Sequence, residues 1–306
     1  ATVTMQQKQL HRPRNIKRQK RKHHPGGKTR NKQVKQNPVL PAIKFALLNV
    51  QTLTDHRIQD LVTDLEEHKV DIIAIQEHRW KSTTAHSIYK VPGSRYSFIY
   101  SGSWVNGADS SIGGVGFIIM DSILPSVTNT ISHDVGIMQL QLKNINKKIN
   151  ILSVHAPHNV YALPERQDFF EKFVKVIESI PEDDIKLIGG DFNAELGPDK
   201  SSPKSDTHGE YFYKAVTTGK NSNGDLLLIS CQRTGLRIAQ SFFKTDSRHL
   251  WTHKRPNGDR VQLDHILVNG KWLSSVINCK AVGAFNFRSD HRPIILQFRL
   301  KFKNFP

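Results

Sequence analysis

Acidic residues are absent from the first 41 positions of the chain, cysteine occurs twice in 306 residues, and long apolar runs are missing altogether. Each shortage removes a class of reading. Cys231 and Cys279 form neither a CxxC nor a metal-ligand spacing, so two ordinary small hydrophobes in a reducing compartment are expected, with a single disulfide between them as the alternative. No stretch approaches the roughly 18 consecutive apolar residues of a membrane span, and the beginning of the chain lacks the apolar segment of a secretory signal. Neither a membrane partner nor export is expected. Residue 1 is Ala, which fits a processed product, a fragment or a module of a longer polypeptide.

Positive charge is abundant and unevenly spread. Forty-four Lys and Arg against 27 Asp and Glu leave +17, and twelve of the cations, from Lys8 to Lys35, lie within residues 1–41. The remainder carries 32 basic and 27 acidic residues, or +5. Both parts favour a polyanionic partner. Residues 1–41 show neither helical nor strand periodicity and are expected to form a disordered basic tail before a folded domain over 42–306. Such a tail neutralises phosphates without reading bases, so it is expected to strengthen binding to a nucleic acid, DNA or RNA, without selecting a site. The cluster Lys17-Arg18-Gln19-Lys20-Arg21-Lys22 is either solvated charge or a nuclear import signal, and in the second case places the chain in the nucleus.

With 37% apolar and 23% charged residues the chain can bury a sizeable core. "IKFALLNV" (43–50) and "VDIIAIQE" (70–77) read as buried strands joined by a helix that Thr54 caps, with Ile58, Leu61, Val62 and Leu65 on one face. "RYSFIY", "GGVGFIIM", "GIMQLQL" and "KKINILSVHAP" read as a meander of four successive strands. A second amphipathic helix starts at Pro164, presents Phe170, Phe173, Val174 and Ile177, and feeds the strand in "DIKLIGGDFNAELG". "NSNGDLLLISCQRTG" reads as a short helix stopped by Gly235, and "LRIAQSFF", "HLWTHK", "VQLDHILV" and "PIILQFRL" as further strands. Some ten strands with few helices predict an α/β arrangement of two packed sheets with helices outside.

Several apolar runs end on a polar residue: Asn49, Glu77, His155, Asp191 with Asn193, Asp264, and Asp290 with His291. One such ending is ordinarily a solvated loop residue or a structural hydrogen bond; six in one chain point to a single cleft built from strand ends. Carboxylates, amides and histidine together suit metal-assisted phosphodiester hydrolysis. Glu77 is a hard ligand for Mg²⁺, Asp191 can orient and deprotonate water, and Asn193 can hold that water or a phosphate oxygen. His291 can donate to the developing charge, kept protonated by Asp264 or Asp290. "GGVGF" (113–117) reads as a strand start with close backbone approach, since no Lys-Ser/Thr completes a phosphate loop. Trp80, Trp104, Trp251 and Trp272 read as core or half-buried anchors, with Trp251, flanked by cations, as the candidate for base stacking.

In order, "LLNVQTL", "DIIAIQEHRW", "GGVGFII", "SVHAP", "GGDFNAELG", "WTHKRPNG", "QLDHILV" and "SDHRPI" resemble the motifs of the endonuclease/exonuclease/phosphatase superfamily over about residues 43–300. "NSNGDLLL", "LDHILVNGKWLSSV" and "SDH" are most similar to the apurinic-type endonuclease domains of RTE-like non-LTR retrotransposons and their craniofacial development protein-like host relatives. The resemblance implies a four-layer α/β sandwich of two packed mixed sheets with outer helices. It also implies Mg²⁺-dependent, or Mn²⁺-dependent, nicking of duplex DNA to a 3′-hydroxyl and a 5′-phosphate. Carried over motif by motif, it assigns Glu77, Asn49 and Asp290 to the metal, Asp191 and Asn193 to catalysis, and Asp264 to the orientation of a catalytic His291. There are two departures. His155 stands where the family usually has Tyr, which is expected to alter phosphate contact and pH dependence. Gln51 stands where repair enzymes often have an acid, which argues against a dedicated abasic-site repair enzyme. The other readings are such a repair nuclease, a deadenylase-like exonuclease, an inositol phosphatase, and an inactive domesticated DNA-binding module.

Overall fold

Strands that are apolar on both faces must be covered on both faces, and here they sit at the centre of two stacked sheets. In the computed structural model the described residues are 42–82, 84–102, 113–143, 147–197, 206–211 and 219–299; the basic tail over 1–41 and Trp104 lie outside them. The strands are β1 (Ala42–Asn49), β2 (Ile72–Gln76), β3 (Ser87–Lys90), β4 (Tyr96–Tyr100), β5 (Val115–Met120), β6 (Val127–Asp134), β7 (Ile137–Lys143), β8 (Lys148–His155), β9 (Ile185–Asp191), β10 (Leu236–Ile238), β11 (His253–Lys254), β12 (Arg260–Val261), β13 (Asp264–Asn269), β14 (Val276–Ala281) and β15 (Ile294–Arg299). The helices are α1 (Asp55–His68), α2 (Leu163–Ser179) and α3 (Ser222–Thr234).

A seven-stranded sheet runs β14-β15-β1-β2-β5-β4-β3 and a six-stranded sheet β10-β13-β9-β8-β7-β6, with β11 and β12 as a separate ribbon. Each sheet contains one parallel pair among its described strands, β1 with β2 and β8 with β9. Parallel neighbours need a crossover, and α1 and α2 supply it. The registers set Asn49 beside Gln76 and His155 beside Asp191, so both pairs end together at their carboxyl ends. Antiparallel β13 adds Asp264 directly opposite Asp191.

Between the sheets pack Phe45, Leu47, Phe117, Met138, Ile151, Leu187 and Ile266. Ile58, Leu61 and Leu65 of α1 cover the outer face of the first sheet, and Phe170, Phe173, Leu227 and Cys231 of α2 and α3 that of the second. The result is a four-layer α/β sandwich of two mixed sheets. The glycine pair before Asp191 follows from this packing. A Cβ on Gly189 would stand 2.9 Å from the Phe45 ring on the facing sheet, and one on Gly190 2.4 Å from the Val154 carbonyl oxygen.

Several local expectations are corrected. The meander is divided, since β4 and β5 belong to the first sheet while β7 and β8 belong to the second. "HLWTHK" forms a short 3-10 turn and the two-residue β11, and "LRIAQSFF" is extended only through Ile238. Cys231 and Cys279 are separate buried thiols, which removes the disulfide alternative.

Helix α1 also anchors the segment that leads into the last strand. Thr54 Oγ1 accepts the Arg57 N–H at 3.3 Å, and Lys69 closes the helix in the left-handed conformation (φ +54°). Among the apolar residues on the buried face sits the fully buried Asp64, which accepts the backbone N–H groups of Asn286 at 3.0 Å and Phe287 at 2.8 Å and the Asn286 side-chain amide at 3.1 Å. Asp64→Ala leaves these donors unmatched and is expected to cost about 1–3 kcal/mol. Urea unfolding measures this; an unchanged midpoint would mean that the carboxylate is dispensable to the segment.

Candidate active site

The strand ends converge on a cleft of about 560 Å³ lined by Glu77, His155, Asp191, Asn193, Asp290 and His291, among others. At the end of β1 the buried Asn49 donates from Nδ2 to Glu77 Oε1 at 2.7 Å and to Asp191 Oδ2 at 3.0 Å. One amide thereby ties a carboxylate of each sheet to the other. Its Oδ1 accepts the Gln51 N–H at 3.0 Å, so Asn49, assigned from sequence to the metal, also positions the two carboxylates. Glu77 and Asn193 adopt the left-handed conformation (φ +55° and +49°), a cost that clusters where geometry serves a site. His155 Nε2 lies 3.5 Å from Glu77 Oε1. Asp191 Oδ1 accepts the Asn193 N–H at 2.9 Å, and Asn193 Nδ2 donates to the Ala156 carbonyl at 3.0 Å. Burial alone would raise the Asp191 pKa, but the charges of His291 and His155 and the bonds from Asn193 and Asn49 outweigh it and hold the group below the usual carboxylate value.

His291 is buried with Nδ1 donating to Asp264 at 3.0 Å, while Nε2 lies 3.8 Å from Asp191 Oδ2 and 3.7 Å from Asp290 Oδ1. Burial opposes the charged ring; Asp264, Asp191 and Asp290 outweigh it and push its pKa up to about 10. Burial and the neighbouring Asp191 push Asp264 upward, against the pull of His291. Three carboxylates facing one imidazole favour its charged form.

His253 and Ser289 were not singled out by the sequence pattern, and Gln51 was noted only for the acid it replaces. The His253 ring lies 4.5 Å from that of His291, centroid to centroid, and its Nε2 is 3.4 Å from Asp290 Oδ2. Gln51 Nε2 donates to the same oxygen at 2.6 Å. Ser289 Oγ donates to the Asn49 carbonyl at 2.8 Å and accepts the His291 N–H at 3.1 Å, joining the two ends of the site. The metal assignment therefore divides. Glu77, His155 and Asp191 form one group of potential ligand atoms, whereas Asp290 belongs to another with His253 and His291. The first offers two carboxylates at an open cleft, a donor set that fits Mg²⁺ and its retained waters; the His155 nitrogen also suits Mn²⁺. Trp251 is buried, with the Arg292 guanidinium 3.3 Å and that of Arg260 5.0 Å from its ring centre. Its ring is already engaged, which corrects the expectation of a base-stacking platform.

Residues 46–291 match the Endonuclease/Exonuclease/phosphatase family. Craniofacial development protein 2 of Tragulus javanicus is 25% identical over 264 residues, 84% of this chain and 42% of that protein, so the chain spans less than half the length of this relative. Among solved structures, the AP endonuclease LMAP from Leishmania major superposes with a TM-score of 0.63 at 15% identity, over 87% of this chain and 90% of its own. The endonuclease domain of TRAS1, a telomere-specific non-LTR retrotransposon, does so with a TM-score of 0.57 at 15% identity, over 85% of this chain and all of its own. From the match over residues 46–291, the chain belongs to the endonuclease/exonuclease/phosphatase family.

Proposed function

We propose that the chain is a Mg²⁺-dependent endonuclease that nicks duplex DNA to a 3′-hydroxyl and a 5′-phosphate, as the nicking domain of a non-LTR retroelement. The observation that carries this reading is the hydrogen-bonded set Glu77–Asn49–Asp191, with His291 Nε2 3.8 Å from Asp191. Glu77 and Asp191 would hold the divalent ion, which would supply Lewis-acid polarisation of a phosphate oxygen. Asp191, kept anionic, takes the proton of the attacking water, and Asn193 holds that water in line. His291, kept cationic, donates to the phosphate oxygen on which charge grows, while Asp264 fixes its ring. His155 at the rim meets a phosphate from the side of Glu77. The likeness to the endonuclease domain of TRAS1 supports a retroelement origin, and Gln51, donating to Asp290 where repair enzymes often carry an acid, favours it over abasic-site repair.

The test places the full chain with Mg²⁺ on supercoiled plasmid, abasic duplex, single-stranded RNA and an inositol phosphate in parallel. Open-circular plasmid whose nicks DNA ligase reseals is expected. Cleavage confined to the abasic duplex, to RNA or to the inositol phosphate would replace this reading with the corresponding one, and inertness on all four would leave a DNA-binding module.

A further inference from the structure

Three of the seven large hydrophobic residues exposed among the described residues fall within four positions: Val160 at 81%, Tyr161 at 52% and Leu163 at 44%. Tyr161 lines the same cleft as Glu77, Asp191 and His291. The turn that carries them is held from beneath. The buried Arg166 donates from Nε to the Tyr161 carbonyl at 3.0 Å and from Nη1 to Asn159 Oδ1 at 2.7 Å and Asn223 Oδ1 at 3.0 Å. Asn223, fully buried in the "NSNG" motif, donates in turn to the carbonyls of Pro157 at 2.9 Å and of Phe192 at 3.2 Å. Phe192 follows Asp191 directly, so one amide fixes the spacing between the exposed turn and the catalytic strand.

Burying a guanidinium is costly, and here it serves to stiffen a surface turn. An exposed apolar patch rimmed by polar groups marks a binding surface. Residues 156–165 contain no Lys or Arg, so the turn is not built to pair with phosphates. The β11–β12 ribbon, whose His253 lines the same cleft, carries the exposed cations Lys254 and Arg260. A duplex is anionic outside and apolar in its stack, and this pairing of surfaces matches both. We propose that Val160 and Tyr161 form a rigid wedge that enters the base stack of duplex DNA beside the bond to be cut. The inference rests on the nuclease reading and specifies how its substrate is held.

Duplexes carrying 2-aminopurine at successive positions around a mapped nick, bound to the Asp191→Asn protein, test it. Fluorescence is expected to rise at the step next to the nick. Adding Val160→Ser and Tyr161→Ser should abolish that rise and weaken binding by roughly 5- to 150-fold, the range for losing a stacked base, with the salt dependence unchanged. Arg166→Lys keeps the charge and the apolar surface but loses the fork, and should likewise abolish the rise. Val160→Ser/Tyr161→Ser protein that nicks at the wild-type rate and positions would overturn the wedge and leave the nuclease reading standing. Failure of the Asp191→Asn protein and of the wild type alike to bind duplex would overturn both.

Discussion

Asp191→Asn is expected to lower plasmid nicking by roughly 10²-fold or more, since under the proposed function it removes both the base for the attacking water and a charged ligand for the ion. The fold should persist. The substituted amide still accepts the Asn193 N–H, and the lost attraction to His291 is offset in part by relief of repulsion with Asp264, to which Asp191 stands directly opposite. Glu77→Gln should produce a loss of the same order, because Asn49 bridges the two carboxylates into one unit. Residues acting as a unit are non-additive, so the double variant should be little worse than the poorer single one. Nicking rates at saturating Mg²⁺, alongside urea midpoints, measure all three proteins. Near wild-type nicking by either single variant would remove that residue from the chemistry.

The second large effect falls on stability. His291→Ala strips the buried Asp264 of its counter-charge, and breaking a buried pair from one side costs about 3–5 kcal/mol. For a domain of this size that lowers Tm by roughly 6–20 °C. The pH dependence has a definite sign. The His291 pKa is raised from 6.5 to about 10, so its contribution is fully present below the unfolded value and is lost as pH rises through about 10. Asp191 is shifted the other way, so its contribution is present above the ordinary carboxylate value and lost as pH falls through the depressed one. The wild type should therefore lose stability on the alkaline side between these two histidine values, and His291→Ala should show a flatter alkaline limb. Melting curves at a series of pH values decide the matter; parallel alkaline limbs would show that the pair does not carry this charge in solution.

What could be read from the sequence was what each segment reports about itself. Strands buried on both faces, such as β1 and β9, appear as apolar runs whose polar ends are conspicuous, and so Asn49, Glu77, His155, Asp191 and Asp264 stood out. Thr54, Asn221 and Gly235 mark helix ends by their own backbone chemistry. Edge strands β3 and β6 are half-exposed and lack that contrast, and the stretch around β11 follows no period at all. The unforeseen contacts depend on distant partners. Within the site Gln51, noted only for the acid it replaces, meets Asp290 across 239 positions, and outside it Asn286 reaches Asp64 across 222. No local pattern encodes such a meeting, and His253 gains meaning only when the ribbon lays it against His291.

The order of strands in the first sheet bears on synthesis. Strand β1, the first described element, is bordered by β2, which follows it closely, and by β15, the last, and Ser289 reaches Asn49 across 240 positions. On a ribosome, β1 therefore waits with one edge unpaired while the whole second sheet is being made. Asn49 and Glu77 are translated early but have no Asp191 to bridge to, and His291 emerges only with the closing strand. An interrupted translation product accordingly holds neither a complete sheet nor a complete set of catalytic groups. The candidate site therefore comes together only when the last described strand inserts.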